Sequence, residues 1–189
     1  MAMPTADRPV LPIVLLQHMA DELEVPEGFR VEILGEELVV SPAPLGPHAY
    51  LVALVRDALA PLLPRGAVSV ENVSLEVTAT GERYIPDLLV YPARGLRQEG
   101  RWLFPAEDAF LVVEVTSPSN AANDRVRKLR GYARAHVPLY LLVEPEEESA
   151  TLFCDPVDGA YRAHSTVPYG AALALPSPFT GKLSLAWDE

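Results

Sequence analysis

The sequence predicts an α/β fold, and three observations support that prediction. Residues 110–116 form a near-continuous apolar run, which is typical of a strand buried on both faces. Residues 137–143 form a second such run, and a helical pattern that extends to about residue 135 separates the two. A strand, a helix and a strand in this order predict a right-handed parallel crossover. Shorter alternating segments before and after this unit predict further strands.

The first part of the chain has the pattern of a helix, a hairpin and a second helix. Apolar residues at helical spacing predict a short amphipathic helix over residues 11–23. Residues 29–34 and 37–41 are separated by a Gly-Glu turn, which predicts a β-hairpin. Prolines argue against regular structure in residues 41–47, and residues 48–63 carry apolar positions typical of a helix.

The middle and the end of the chain have strand patterns. Residues 68–77 alternate apart from one slip near Asn72, which predicts one half-buried strand with a bulge. A turn over residues 78–81 leads to a second predicted strand over residues 83–91. From Thr151 onward, short strands joined by Gly and Pro turns are expected.

Length, composition and cysteine content limit the possible classes of protein. The chain has 189 residues, 49% of them hydrophobic, so we expect one domain over residues 1–189. No apolar run approaches the ~20 residues that cross a bilayer. The N-terminus lacks the pattern of a signal peptide, so we expect a cytoplasmic protein without a membrane span. Cys154 is the only cysteine, which excludes an internal disulfide and a thiolate-only zinc site.

The charge distribution bears on nucleic-acid binding. The formal net charge of -11 argues against broad attraction to nucleic acid, because sequence-independent affinity comes from clustered Lys and Arg. Basic residues nevertheless crowd one short segment, so a local basic surface is compatible with an acidic protein. These residues are Arg125, Arg127, Lys128, Arg130 and Arg134.

Two acidic residues are the main candidates for chemistry. Glu114 lies in an otherwise apolar strand, where an ionised carboxylate costs several kcal/mol unless it is paired or bound to a cation. Asp87 follows a proline at the start of an apolar strand and can face Glu114 from a neighbouring strand. Mg²⁺ or Mn²⁺ between two such carboxylates would turn their repulsion into attraction. Two alternatives need no metal: Asp87 bonded to backbone N–H groups, and Glu114 in a buried ion pair with Lys128 or an arginine.

Lys128 is the candidate for the positive group. Asp124 and Lys128 are four residues apart and share one face of the predicted helix. If Val126, Leu129, Ala133 and Val137 form the buried stripe, Lys128 lies roughly 120° from the centre of that stripe and reaches the edge of the sheet. There its ammonium can orient a water molecule and neutralise charge on a phosphate. The alternative is an ion pair with Asp124 on the helix surface.

Several segments occur together in an order that resembles a known family. They are Glu32-Ile-Leu-Gly-Glu-Glu-Leu-Val-Val-Ser-Pro-Ala-Pro, a helix opened by His48, Pro86-Asp87, Val113-Glu-Val-Thr-Ser-Pro-Ser-Asn, and Asp124, Lys128 and Tyr132. This set resembles the Uma-two family of restriction-endonuclease-like proteins, a bacterial branch of the PD-(D/E)XK nuclease superfamily. The resemblance covers about residues 29–145.

The resemblance implies a fold and a set of site residues. The fold is a mixed sheet flanked by helices, with a nuclease core over about residues 29–145 and extra N- and C-terminal strands. Asp87, Glu114 and the backbone carbonyl of Val115 would hold Mg²⁺ or Mn²⁺. The superfamily lysine is replaced by Thr116, and Lys128 on the adjacent helix is the matching position. The remaining implied positions near the site are His48 and Glu37.

The leading hypothesis is a metal-dependent endonuclease that hydrolyses phosphodiester bonds of DNA, and a homodimer is expected by resemblance. The alternative is a catalytically inactive protein on the same fold that binds nucleic acid or a protein partner. The charge of -11 and Thr116 favour this alternative. A third class is a small β-rich binding protein with an ion-paired core, which predicts that Asp87, Glu114 and Lys128 lie apart with no open cleft.

Overall fold

The computed structural model of the chain describes residues 11–118 and 120–185. The first part contains α1 (Ile13–Glu22), β1 (Phe29–Leu34), β2 (Glu37–Pro42), α2 (Gly46–Leu59), a 3₁₀ turn (Ala60–Leu62), β3 (Ala67–Val70), β4 (Ser74–Val77), β5 (Glu82–Tyr84) and β6 (Leu88–Pro92). Next come α3 (Ala93–Leu96), β7 (Leu103–Pro105), a 3₁₀ turn (Ala106–Asp108), β8 (Leu111–Val115), a π-helical segment (Asn123–Lys128), α4 (Leu129–Arg134) and β9 (Leu139–Glu144). The chain continues through a 3₁₀ turn (Pro145–Glu147), β10 (Ser149–Val157), β11 (Ala160–Pro168), β12 (Ala172–Ala174) and β13 (Lys182–Ser184).

The strands form mixed sheets. A six-stranded sheet has the order β11-β10-β9-β8-β6-β3, and a five-stranded sheet has the order β2-β1-β5-β4-β7. The last two strands pair with each other. The pairs β8–β9 and β4–β7 are parallel, and the other pairs are antiparallel. The predicted parallel crossover from β8 to β9 through a helix is therefore confirmed.

The six-stranded sheet has a hydrophobic core on each face. Alternate residues of its central strands point to opposite sides, as the pleat of a strand requires. Val113 and Val115 pack with α2 and the C-terminal strands on one side. Val112 and Leu142 pack on the other side with α4 and residues of the five-stranded sheet. Glu114 shares the second face, so its side chain points toward the π-helical segment and α4.

Two predicted strands are each divided between the two sheets. The expected strand over residues 68–77 is β3 in one sheet and β4 in the other, because Asn72 adopts a left-handed φ of 59° and turns the chain instead of forming a bulge. The expected strand over residues 83–91 is β5 and β6, again in different sheets. Ile85, Pro86 and Asp87 form the connection between them. The slip in alternation near Asn72 therefore marks a change of sheet and not a bulge within one strand.

Helix α2 begins earlier than predicted and ends earlier too. It starts at Gly46 with Pro47 in its first turn. A proline is tolerated there because the N–H groups of the first turn have no acceptor within the helix. Residues 41–47 are therefore only partly irregular, since Pro42 also ends β2. The end predicted at residue 63 lies beyond the helix and the 3₁₀ turn that follows it.

The helices do not have the dimensions of a membrane span. In the two described ranges of the chain, no helix is long and apolar enough to cross a bilayer. The chain also forms α3 and β7, which are not among the elements predicted from the sequence. Strand β7 completes the edge of the five-stranded sheet beside β4.

Candidate active site

The two candidate carboxylates come from neighbouring strands. Asp87 directly precedes β6, and Glu114 lies in β8. These strands are antiparallel with Leu88 opposite Val113, so the next register position brings Asp87 opposite Glu114. Glu114 is 1% exposed. The structure thus brings together the two residues that the sequence singled out.

Asp87 is fixed by backbone and side-chain groups around it. Its Oδ2 atom accepts a hydrogen bond of 2.9 Å from the backbone N–H of Val115 and lies 3.1 Å from His48 Nε2. His48 Nε2 also lies 2.9 Å from the carbonyl oxygen of Val115. Arg30 approaches Asp87 Oδ1 at 3.8 Å. His48 is therefore next to both Asp87 and the Val115 carbonyl, two of the three predicted metal ligands.

Lys128 is buried at the centre of a cluster of carboxylates. Its Nζ atom lies 3.1 Å from Glu32 Oε1, 3.1 Å from Glu114 Oε1 and 3.6 Å from Asp124 Oδ1. Its side chain is 3% exposed. The ion pair with Asp124 exists but is buried, so the alternative of a pair on the helix surface is wrong. The alternative of a buried ion pair between Glu114 and Lys128 is present as a contact.

The predicted inner face of this helix is confirmed for Ala133 and Val137, which are buried, and for Leu129, which is partly buried, but it is wrong for Val126. Val126 is 65% exposed, whereas Asp124 and Lys128 point inward. The prediction assigned the inner face by hydrophobicity, but the charged pair occupies it because each charge has partners from the neighbouring strands. The π-helical segment Asn123–Lys128 carries both residues. Segments of this kind often occur at functional sites.

Glu32 and Tyr132 complete the network, and the sequence assigned neither of them a role in the site. Glu32 Oε1 accepts a hydrogen bond of 2.8 Å from the backbone N–H of Ile85, two residues before Asp87. The Tyr132 hydroxyl donates a hydrogen bond of 2.9 Å to Glu114 Oε1. Glu32 therefore connects Lys128 to the segment that holds Asp87, and Tyr132 fixes the orientation of the Glu114 carboxylate.

The electrostatics of the cluster follow from burial and from an excess of negative charge. Burial raises the pKa of Glu114 well above its usual range, and the attraction of Lys128 opposes this rise. Burial likewise raises the pKa of Asp124 to about 6. Burial alone would lower the pKa of Lys128, but the carboxylates around it outweigh this effect and raise the pKa. A hydrogen bond to Asp87 raises the pKa of His48 above 6.5.

These groups line one cleft with a volume of about 700 Å³. Its acidic side chains are Glu32, Asp87, Glu114 and Asp124, and its side-chain cations are Arg30 and Lys128. With all six ionised and His48 neutral, the lining carries two formal negative charges. The third class is the small β-rich binding protein with an ion-paired core, which predicts that Asp87, Glu114 and Lys128 lie apart with no open cleft. The buried ion pairs agree with that class, but the meeting of the three residues in an open cleft argues against it.

Glu37 does not join this cleft. It lies at the start of β2, its side chain is 51% exposed, and it forms an ion pair of 3.0 Å with Arg127. Arg127 also donates a hydrogen bond to the carbonyl of Leu34. The expectation that Glu37 lies near the site is therefore wrong, because the β1–β2 turn carries it toward a second cavity that Arg127 also lines.

The predicted basic surface is largely neutralised. Arg125 pairs with Glu144 at 2.6 Å, Arg127 pairs with Glu37, and Lys128 is buried. Arg130 and Arg134 line the second cavity instead of the cleft. The basic residues that cluster in the sequence do not form a continuous cationic face beside the carboxylates.

The chemistry of the donor set fits a divalent cation of the Mg²⁺ type. The predicted ligands are two carboxylates and one backbone carbonyl, and hard oxygen donors are the preferred ligands of such ions. The buried Asp124 Oδ1 has no hydrogen-bond partner, which leaves a further oxygen beside the cluster. Within residues 11–118 and 120–185, no group of three or more His, Cys, Asp or Glu side chains has the arrangement of a metal site. The predicted ligands include only two side chains of these types, Asp87 and Glu114, because the third ligand is the backbone carbonyl of Val115. The absence of a three-residue group therefore does not bear on this set.

Comparison with known proteins identifies the family. A family model described as "Putative restriction endonuclease" matches residues 17–188, which is most of the chain. The chain belongs to this family, Uma2. The resemblance of the sequence motifs to the Uma-two family is thereby confirmed.

A solved structure confirms the fold of this Uma2 protein. It is the crystal structure of a "putative nuclease belonging to DUF820" from Anabaena variabilis ATCC 29413, with a TM-score of 0.65. The match covers 88% of this chain and 90% of that chain at 15% sequence identity, so it concerns the fold alone. Curated protein sequences give no match. Family and fold together support a restriction-endonuclease-like nuclease.

Proposed function

We propose that this chain is a metal-dependent endonuclease that hydrolyses phosphodiester bonds of DNA. The observation behind the proposal is the meeting of Asp87 and Glu114 in one cleft with a buried Lys128 beside them. Asp87, Glu114 and the carbonyl of Val115 would hold Mg²⁺ or Mn²⁺. Such an ion supplies Lewis acidity toward a phosphate oxygen and stabilises the negative charge that develops there.

The side chains of the cleft have separate tasks in this proposal. Lys128 balances the carboxylates and keeps Glu114 at the site, because its ammonium lies 3.1 Å from Glu114 Oε1. Asp87 is held in place by the N–H of Val115 at 2.9 Å. His48 contacts Asp87 Oδ2 and the Val115 carbonyl, so cation binding at these oxygens would displace its hydrogen bond. We propose no catalytic role for Glu37.

A cleavage assay tests the proposal. Supercoiled plasmid is incubated with the purified protein and Mg²⁺ or Mn²⁺, and nicked and linear products are quantified over time. Asp87→Asn and Glu114→Gln are expected to reduce the rate at least 100-fold, since each removes a ligand charge. Asp57→Asn is the matched control, because Asp57 has a side chain 71% exposed on α2. Cleavage that persists unchanged in Asp87→Asn would count against the proposal.

A second candidate is a catalytically inactive protein on the same fold that binds nucleic acid or a protein partner. Thr116 in place of the superfamily lysine favours it, and so does the engagement of Lys128 with three carboxylates. This candidate predicts no metal-dependent cleavage, and it predicts binding that survives Glu114→Gln.

Two finer expectations remain predictions. A homodimer is expected by resemblance to the family, and light scattering of the purified protein at micromolar concentration would test it. A cytoplasmic location is expected from the sequence, and fractionation of cells that express the chain would test it.

A further inference from the structure

Part of the cleft lining is apolar and exposed. Strand β2 and the segment that follows it contribute apolar side chains next to the carboxylates, among them Val40 and Leu45. Val40 is 44% exposed and Leu45 is 79% exposed. Pro42, Pro44 and Pro47 stiffen this wall, because each proline ring fixes its backbone φ angle. An exposed, stiff apolar wall beside a charged site is a candidate surface for a substrate.

The cleft offers few cations that are free to bind phosphates. Arg30 and Lys128 are the Lys and Arg residues among its described lining. Arg30 lies 3.8 Å from Asp87 and donates a hydrogen bond of 2.9 Å to Asn72, and Lys128 lies among three carboxylates. Proteins that bind duplex DNA through its backbone commonly make about six to ten phosphate contacts. This lining cannot supply that number.

An apolar wall also has no counterpart on duplex DNA. The faces of the bases are covered by stacking in a duplex, and the surface it presents along its backbone is phosphate. In an unpaired strand the bases can turn out and pack on protein side chains. The cleft volume of about 700 Å³ lies in the range of small-ligand sites, which suits a short stretch of unpaired strand.

We propose that the cleft takes an unpaired DNA strand, with a base packed on Leu45 and Val40 while the adjacent phosphodiester lies at Asp87 and Glu114. This inference rests on the proposed nuclease function and names its substrate class. It predicts preference for single-stranded over duplex DNA. It also predicts weak salt dependence, because few phosphates are neutralised.

The test compares one oligonucleotide as a single strand and as an annealed duplex. Cleavage is measured with Mg²⁺ or Mn²⁺. Binding is measured by fluorescence anisotropy with Ca²⁺, a hard cation that also takes oxygen ligands, because without a cation the two net negative charges of the lining would repel a phosphate. We expect kcat/KM and affinity at least tenfold higher for the single strand. The slope of log affinity against log salt should be no steeper than about -1.5, which corresponds to about two neutralised phosphates.

The outcomes separate this inference from the proposed function. Duplex cleaved as fast as the single strand, in a manner that depends on Asp87, overturns the inference and leaves the nuclease function intact. Binding of the single strand that depends on Leu45, without any cleavage, overturns the nuclease function and supports the inference about the ligand. Failure to bind or cleave either form overturns both.

Variants of the wall give a sharper test. Leu45→Ser is expected to raise KM for the single strand about three- to tenfold with little change in kcat, because part of a leucine side chain no longer packs on a base. Leu45→Met should keep most of the affinity. Val14→Ser is the matched control, since Val14 is 70% exposed on α1 and does not line the cleft. Equal KM values for Leu45→Ser and Val14→Ser would overturn the assignment of this wall.

Discussion

Replacing Lys128 by methionine removes the central positive charge of the buried network. Methionine has a similar length and no charge, so the packing volume is nearly kept while the ammonium is lost. At an effective dielectric constant of 20, each carboxylate between 3.1 and 3.6 Å from Nζ attracts it by about 5 kcal/mol before desolvation is counted. Carboxyl groups that lose this attraction can take up protons, which limits the damage. The expected net loss is therefore about 3–5 kcal/mol in the free energy of unfolding, as for other broken buried pairs.

Urea denaturation at pH 7.5 with a metal chelator measures this loss. Arg130→Met is the matched control, because Arg130 is an exposed cation on the same helix, and it is expected to change stability by less than about 0.5 kcal/mol. Adding Glu32→Gln to Lys128→Met should recover part of the stability, since it removes one of the unpaired carboxylates. A loss below about 1 kcal/mol for Lys128→Met, or no recovery in the double variant, would refute the description of a tightly coupled buried network.

Three further predictions concern the same region. Gly131→Ala should destabilise the protein by about 1–3 kcal/mol in urea denaturation, because the added Cβ would overlap the hydroxyl and ring of the buried Tyr84. Tyr132→Phe should cost about 1–2 kcal/mol by the same measurement, because Glu114 loses a hydrogen bond of 2.9 Å. The folded-state pKa of Asp124 is raised to about 6 from 3.8, so its stabilising contribution is full below pH 4 and is lost as the pH rises to 6. Without metal, the free energy of unfolding should therefore fall by up to about 3 kcal/mol across this window, and Asp124→Asn should reduce that fall.

Matched controls make these predictions specific. Gly46→Ala adds a methyl group where nothing lies within 4 Å, so it should not destabilise the protein as Gly131→Ala does. Tyr50→Phe removes the hydroxyl of a tyrosine that is 62% exposed and should be neutral. If the free energy of unfolding of Asp124→Asn depends on pH as that of the unmodified protein does, groups other than Asp124 cause the pH dependence.

The meeting of Asp87 and Glu114 in one cleft agrees with what the sequence predicts, and their role as metal ligands stays a prediction. An acidic residue inside a buried strand requires compensation, and this physical requirement singled out Glu114 without any structure. Asp87 was found because it opens the neighbouring strand after a proline. Both predictions use only the local sequence, because the apolar neighbours of each carboxylate indicate that its strand is buried.

Glu32 was missed because its neighbours were interpreted as one strand of a simple hairpin. Arg30, Glu32 and Leu34 share one face of β1, and Leu34 is 1% exposed. An apolar residue on the same face as two charged ones was the available signal that this face points inward. The contacts of Glu32 with Lys128 and Ile85 come from segments distant in sequence, so no local pattern could predict them.

The helix face and the divided strands show what hydrophobicity alone cannot predict. Val126 looked like a core residue but is exposed, because the carboxylates of neighbouring strands draw Lys128 to the inside. The chain changes sheets at Asn72, where the alternation slips, and again between β5 and β6 at Ile85-Pro86-Asp87. In both cases, contacts with segments distant in sequence decide which residues are buried and which sheet a strand joins. The local hydrophobic pattern does not identify those segments.

Cation binding by the metal-free protein tests directly whether Asp87 and Glu114 form a metal site. Mn²⁺ is titrated into the unmodified protein, Asp87→Asn, Glu114→Gln and the control Asp57→Asn, and free Mn²⁺ is measured by electron paramagnetic resonance. We expect saturable binding to the unmodified protein, an affinity at least tenfold lower for either substitution in the cleft, and an unchanged affinity for the control. Absence of binding to the unmodified protein, or equal affinity in all four proteins, would contradict the claim that Asp87 and Glu114 hold a divalent cation.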